Sequence, residues 1–164
     1  MTVRWSKALM VLMVGAYALL VGLDNIIDYG VNLAGVERVL SMDTIFPTSR
    51  LTWRAITSPI AQNGAYWLII ASELLIGLLC VLGAVRLWIA RRGTVKAFQA
   101  AKQLAVIGLV FGFTLWFFGF LVIAGEWFLM WQSKDWNAQQ SAFRVAVCCA
   151  LVLIFLNQRD DELG

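Results

Sequence analysis

The sequence predicts an all-α fold, an integral membrane four-helix bundle with a helical outer loop between spans 1 and 2, forming a single membrane domain over residues 1–164. Three observations carry this. Hydrophobic residues fill 61% of the 164 positions and charged residues 14%, with a mean hydropathy of +0.78, far more apolar than a soluble domain of this length. Apolar runs fall at about 8–27, 66–89, 104–127 and 138–156, close to the roughly 20 residues that cross a bilayer. The charges lie mostly between these runs, with the basic ones massed around one connection, as expected of residues that set orientation across a bilayer.

The same composition narrows the chemistry. There is no histidine, which removes the usual axial ligand of a membrane haem and the commonest ligand for zinc or copper. Cys80, Cys148 and Cys149 all lie inside apolar runs, where a thiol is a small packing residue and not half of a disulfide framework. No basic run has the footprint of a nucleic-acid binder. The expectation is a non-enzymatic protein with no cofactor, no metal and no nucleic-acid partner, surrounded by a lipid bilayer.

In span 1, Arg4 and Lys7 precede the apolar run from Ala8 to Leu23, a pattern shared with secretory signal peptides. No small-x-small cleavage site follows, and three more spans do, so the run is expected to remain as the first helix. It should leave the hydrocarbon near Asp24, roughly 26 Å of helical rise beyond Lys7. In the outer loop, 28–65, Val36, Val39 and Leu40 have helical spacing. Thr48 or Ser49 is placed to cap a second short helix carrying Leu51, Trp53 and Ile56, punctuated by Pro47 and Pro59.

Span 2 opens at Tyr66 and Trp67 and closes at Trp88, about 31 to 33 Å apart if helical, which is aromatic-belt spacing. Within it Glu73, Gly77, Cys80 and Ala84 share one helical face, a seam of small residues along which another helix approaches closely. Glu73 should therefore face protein and not lipid. Span 3 follows Lys102, with Gly108 and Gly112 in a small-xxx-small arrangement and Gly119 one heptad on. In span 4 the clearly apolar stretch is Ala142 to Leu156, with Arg144 just inside its outer end, and the tail from Asn157 to Gly164 reads as a polar, unstructured end.

Arg86, Arg91, Arg92, Lys96 and Lys102 surround the second connection with no acidic residue among them. The positive-inside rule makes this connection cytoplasmic, and an even number of spans brings both termini to the same side. The outer mouth then collects Asp24, Glu73 and Glu126, with Arg144 and Arg54 as counter-charges. A charge in hydrocarbon costs on the order of 3 kcal/mol on insertion scales, so Glu73 or Glu126 is expected to pair with Arg144, or with Arg54. Such a cluster either lines a site for a proton, cation or small polar ligand or fixes how the outer loop docks on the helices. Trp67, Trp88, Trp127, Trp131 and Trp136 read as an interface belt.

The segment GEWFLMWQSKDWNAQQSAFR, together with LSMDTIFP and LTWRAI in the first outer loop, resembles a family of small four-span bacterial inner-membrane proteins described as predicted small integral membrane proteins of unknown function. The resemblance spans nearly the whole chain. It implies a multi-pass protein of a Gram-negative inner membrane, and it brings no catalytic residues, substrate or cofactor with it. Beside it, the outer concentration of tryptophan, charge and amide groups points to a cap that meets a protein partner, as an accessory or interaction subunit would. A small transporter or channel using Glu73 and Glu126 is the alternative.

Overall fold

In the computed structural model, which describes residues 1–161, the apolar runs form helices longer than the hydrophobic stretches that seed them. α1 (Thr2–Ile27) ends where Asp28 leaves helical geometry, and α2 (Tyr29–Ser41) starts at once, ending at Met42 in the left-handed region (φ 53°). α3 (Pro59–Ala90) begins at a proline whose missing N–H costs nothing at a helix start. The Ser58 hydroxyl accepts from the Ala61 N–H there (3.5 Å). Thr94 caps α4 (Val95–Ala101) by accepting from the Ala97 N–H (3.2 Å). α5 (Gln103–Phe113) follows after Lys102 and continues as a π-helical stretch, Thr114–Trp127. Its end is marked by a bond from the Phe128 N–H to the Ile123 carbonyl five residues back (3.0 Å). α6 (Gln139–Asn157) closes the fold. Four helical stretches among the described residues are long and apolar enough to cross a membrane: Thr2–Ile27, Pro59–Ala90, Val95–Trp127 and Gln139–Asn157.

Several boundaries differ from the sequence expectation. Span 2 starts at Pro59 and not at Tyr66, so this proline opens a helix where it was expected to end one. The second loop helix reduces to a single 3-10 turn at Thr52–Arg54, because the leucine, tryptophan and isoleucine that suggested it do not share a buried face. Glu126 lies at the end of the π-helical stretch, whose wider winding rises less per residue, so an α-helical count overstates its distance from Leu104.

α3 packs between α1 and α5, while α6 packs on α5 and the π-helical stretch and closes back on α1. Close approach depends on small residues, since lipid offers helices no hydrophobic drive to associate. A Cβ added at Gly15 would lie 3.0 Å from the Cys80 Cβ, and one at Gly83 would lie 2.5 Å from the Ala105 backbone nitrogen. The seam through Gly77, Cys80 and Ala84 is a contact line, as is that through Gly108 and Gly112, whereas Gly119 meets only Leu115 of its own helix. Cys80 and Cys149 are buried packing residues, and Cys148 is exposed. The main core is apolar and includes Val11, Ile76, Leu109, Trp116 and Val152.

A second, smaller core lies outside the spans. Met42, Phe128 and Leu129 are buried against Val39, Leu40, Ile45, Leu51 and Ala55, joining the loop between the first two spans to the segment after the third span. Leu129, like Met42, has positive φ (56°). Two non-glycine residues in this region are uncommon, and here both are held there by burial in the same small core.

Candidate functional site

The structure separates the expected outer cluster instead of assembling it. Glu73 is 2% exposed and faces protein as anticipated, but it pairs with neither Arg144 nor Arg54. The Asn25 amide donates to its Oε2 (2.7 Å), and the Tyr66 hydroxyl donates to the Asn25 carbonyl (2.9 Å). Gly22 makes this contact possible, since a Cβ there would lie 3.4 Å from the Glu73 Cβ and 2.9 Å from Leu74 Cδ2. Asp24, Glu126 and Arg144 are exposed, and the ion pairs among the described residues include none of them. The reason is angular: Asn25, one residue beyond Asp24, turns toward α3 and satisfies Glu73 with a neutral amide, so no cation is needed there.

Arg54 serves the cap instead. Its guanidinium lies 4.3 Å from the centre of the Trp127 ring and 5.4 Å from that of Trp53, and it donates to the Trp127 carbonyl (3.3 Å). Its Nε is buried without a partner. Arg54 and Glu126 border the same open hollow with Phe118, Val122, Ile123 and Trp127, without forming an ion pair. The cap is further tied by the Phe46 N–H donating to Gln132 Oε1 (2.9 Å). On its outside Phe46, Trp53, Trp127 and Trp131 are exposed. They sit in two edge-on pairs, Phe46 with Trp131 and Trp53 with Trp127.

The expected belt divides. Trp67, Trp88, Trp127 and Trp131 are exposed, as interfacial rings are. Trp136 is only half-exposed, because its ring covers Gly35 on α2. Trp88 stacks edge-on against Trp5 at 4.0 Å, with the Arg91 guanidinium within 5 Å of both rings.

The densest polar constellation is at the opposite end, and sequence reasoning missed it. Lys7 is fully buried and Arg4 and Lys102 are 3% exposed, although lysine and arginine are almost never buried so deeply unless paired. They hold the chain's tail, which therefore is not an unstructured end through Asp161. Lys7 and Lys102 bind the two oxygens of Asp160 (2.7 and 2.5 Å), and Gln99 adds a third bond (2.9 Å). Lys7 also donates to the Gln158 carbonyl (2.7 Å). Arg4 donates to the carbonyls of Asp161 (2.8 Å) and Gly93 (2.6 Å). Phe98, fully buried, lies beneath the Arg4 and Lys102 cations. Burial alone would raise the Asp160 carboxyl, but hydrogen bonds from Lys102 and then Lys7, with the attraction of both charges, hold it below its ordinary value. The glutamate, leucine and glycine that end the tail lie outside the described residues.

This arrangement of four spans, a cap and a clasped tail occupies the chain almost from end to end. The model of one family, described as predicted small integral membrane protein (DUF2165), matches residues 3–159. The chain belongs to this family. No curated protein and no solved structure matches the chain. Family membership agrees with the four apolar helices in making this an integral membrane protein, and the family's function is unknown.

Proposed function

We propose that the protein is a non-enzymatic accessory or interaction subunit of a bacterial inner membrane, with both termini cytoplasmic and the aromatic cap on the periplasmic face as the surface that receives a protein partner. One observation carries the reading: the cap has its own core of Met42, Phe128 and Leu129, yet it leaves Trp53 69% exposed and Phe46 49% exposed on the outside. Aromatic residues presented on a rigid base are the typical anchors of protein interfaces. The orientation is supported by Arg86, Arg91, Arg92, Lys96 and Arg159 at the end that holds both termini.

The test is a photo-crosslinker at position 53 or 131, followed by purification in mild detergent. One recurrent crosslinked protein, lost from the Trp53→Ala and Trp131→Ala variants, is expected. Repeated recovery of the protein alone counts against the reading. Single cysteines at Asn137 and Lys96, in a background lacking the native cysteines, should label from the periplasm and the cytoplasm respectively.

A second reading is favoured by one specific feature, the buried Glu73 carboxylate, whose hydrogen bond comes from the neutral Asn25 amide. Intramembrane carboxylates commonly mark ion or proton pathways. That reading requires Glu73→Gln to change solute or proton flux in reconstituted vesicles while the protein stays folded.

A further inference from the structure

At the terminal end a cluster of cations gathers around the segment that follows α6. Arg4, Lys7 and Lys102 are all buried, and the one buried carboxylate among the described residues that meets them is Asp160. Beside them lies an open groove with a volume of about 510 Å³, lined by Gln99, Ala100, Lys102, Gln103, Val106, Ile107 and Asn157. Two of these residues, Gln99 and Lys102, are the same groups that bind Asp160.

The lining is graded along the helix axis. Lys102, Gln99, Gln103 and Asn157 stand at the end nearest the terminal face, and Val106 and Ile107 lie one turn deeper along α5. Helical spacing puts Lys96, Gln99 and Gln103 on one face, with Ile107 continuing it. Lys96 and Gln103 are exposed. Lys102, its side chain 4% exposed and bound to Asp160, places a positive charge immediately behind these exposed groups. A polar, cationic head above an apolar wall, at the end of a membrane span, has the gradient of a phospholipid lying against the protein. Basic pockets at the ends of transmembrane helices bind anionic headgroups on this principle.

We propose that this groove, between the start of the third span and the end of α6, is a binding site for an anionic phospholipid. The phosphate headgroup is received by the exposed Gln99 and Gln103, with Lys96 one turn above and the buried Lys102 charge behind them, and an acyl chain lies on Val106 and Ile107. The site is independent of the cap and of any partner bound there.

The test uses the full-length protein in detergent, titrated with phosphatidylglycerol or with phosphatidylcholine of the same acyl chains and followed by native mass spectrometry. Retained phosphatidylglycerol adducts at several-fold higher occupancy than phosphatidylcholine are expected. Ala100→Trp, which fills the groove from an exposed lining position, and the Lys96→Glu/Gln103→Glu pair should each lower that occupancy several-fold. Trp53→Ala on the cap should leave it unchanged. Thermal melting of each variant establishes that it is folded, and neither groove variant removes a residue of the Asp160 clasp. Equal retention of the two lipids, or full retention in folded Ala100→Trp, overturns the proposal. So does displacement of both lipids alike by inorganic phosphate, which would make the site one for a free anion.

Discussion

Replacing Asp160 by asparagine removes the one carboxylate on which two buried ammonium groups converge. Lys7 and Lys102 have side-chain exposures of 0% and 4%, and each supplies a charge-assisted hydrogen bond of about 1.5–3 kcal/mol. Asparagine keeps an acceptor oxygen but no charge. Stripping one partner from a buried ion pair costs about 3–5 kcal/mol when the other cannot escape. Here the lysines can escape, because residues 158–161 lie beyond the end of α6 in a non-helical segment whose departure admits water, and ordering them opposes docking by about 1–2 kcal/mol per residue. The loss should therefore appear as release of the tail and not as unfolding of the bundle.

Hydrogen–deuterium exchange of the protein in detergent reads this directly. A weakening of about 3 kcal/mol corresponds to roughly hundred-fold faster exchange in the tail peptide, with the centres of α3 and α5 unchanged. Unaltered protection of residues 158–161 would refute the clasp, as would an equal loss of protection throughout the spans. The same carboxylate fixes the pH dependence. Its value when docked is below the ordinary 3.8, so its contribution is complete above that pH and is lost as pH falls through the docked value. Tail protection should stay level from neutral pH to about pH 5 and fail only in stronger acid.

Five substitutions test the packing. Gly83→Ala drives a methyl against the Ala105 backbone and should cost about 1–3 kcal/mol in detergent unfolding, whereas Gly64→Ala, which meets nothing within 4 Å, should be neutral or gain up to about 1 kcal/mol. Asn25→Leu removes the amide that serves Glu73 and should destabilise by about 1–3 kcal/mol; Glu73→Gln, which keeps an acceptor for it, should melt close to the parent. Met42→Gly relieves a left-handed residue but empties a site that is 3% exposed, so a net loss of about 1–4 kcal/mol is expected, read as a tryptophan fluorescence shift from the cap.

The spans and their small-residue seams were legible because both are written in local spacing: Gly77, Cys80 and Ala84 lie on one helical face whatever the partner is. Burial of Glu73 followed from the same register. Its partner did not, because Asn25 and Arg144 belong to different helices and only the rotation of α1 about its own axis decides which one arrives. The clasp was hidden for a different reason. Arg4 and Lys7 look like the basic flank of a signal peptide or a first span, yet they extend the stripe of Ala8, Val11, Gly15, Ala18 and Gly22 that α1 buries. That continuity, together with two aspartates in the tail, was the available signal, and it requires reading charged residues by helical phase before reading them by sidedness.

The packing also weighs on the choice between a docking subunit and a carboxylate-based transporter. Glu73 lies between α1 and α3 beside Gly22, and along the same line Gly77 receives Leu19 so closely that an added Cβ would lie 2.5 Å from its Cγ. A solute reaching Glu73 from either face must part these two helices, whose contact depends on van der Waals fit at several glycines. The cap needs no such motion to present Trp53 and Trp131. A crosslink joining α1 to α3 near Leu19 and Gly77 therefore separates the readings. It should leave partner capture at the cap intact if docking is the function, and it should abolish flux if Glu73 transports. Flux that persists in the crosslinked protein would show that the pathway, if any, does not pass between these helices.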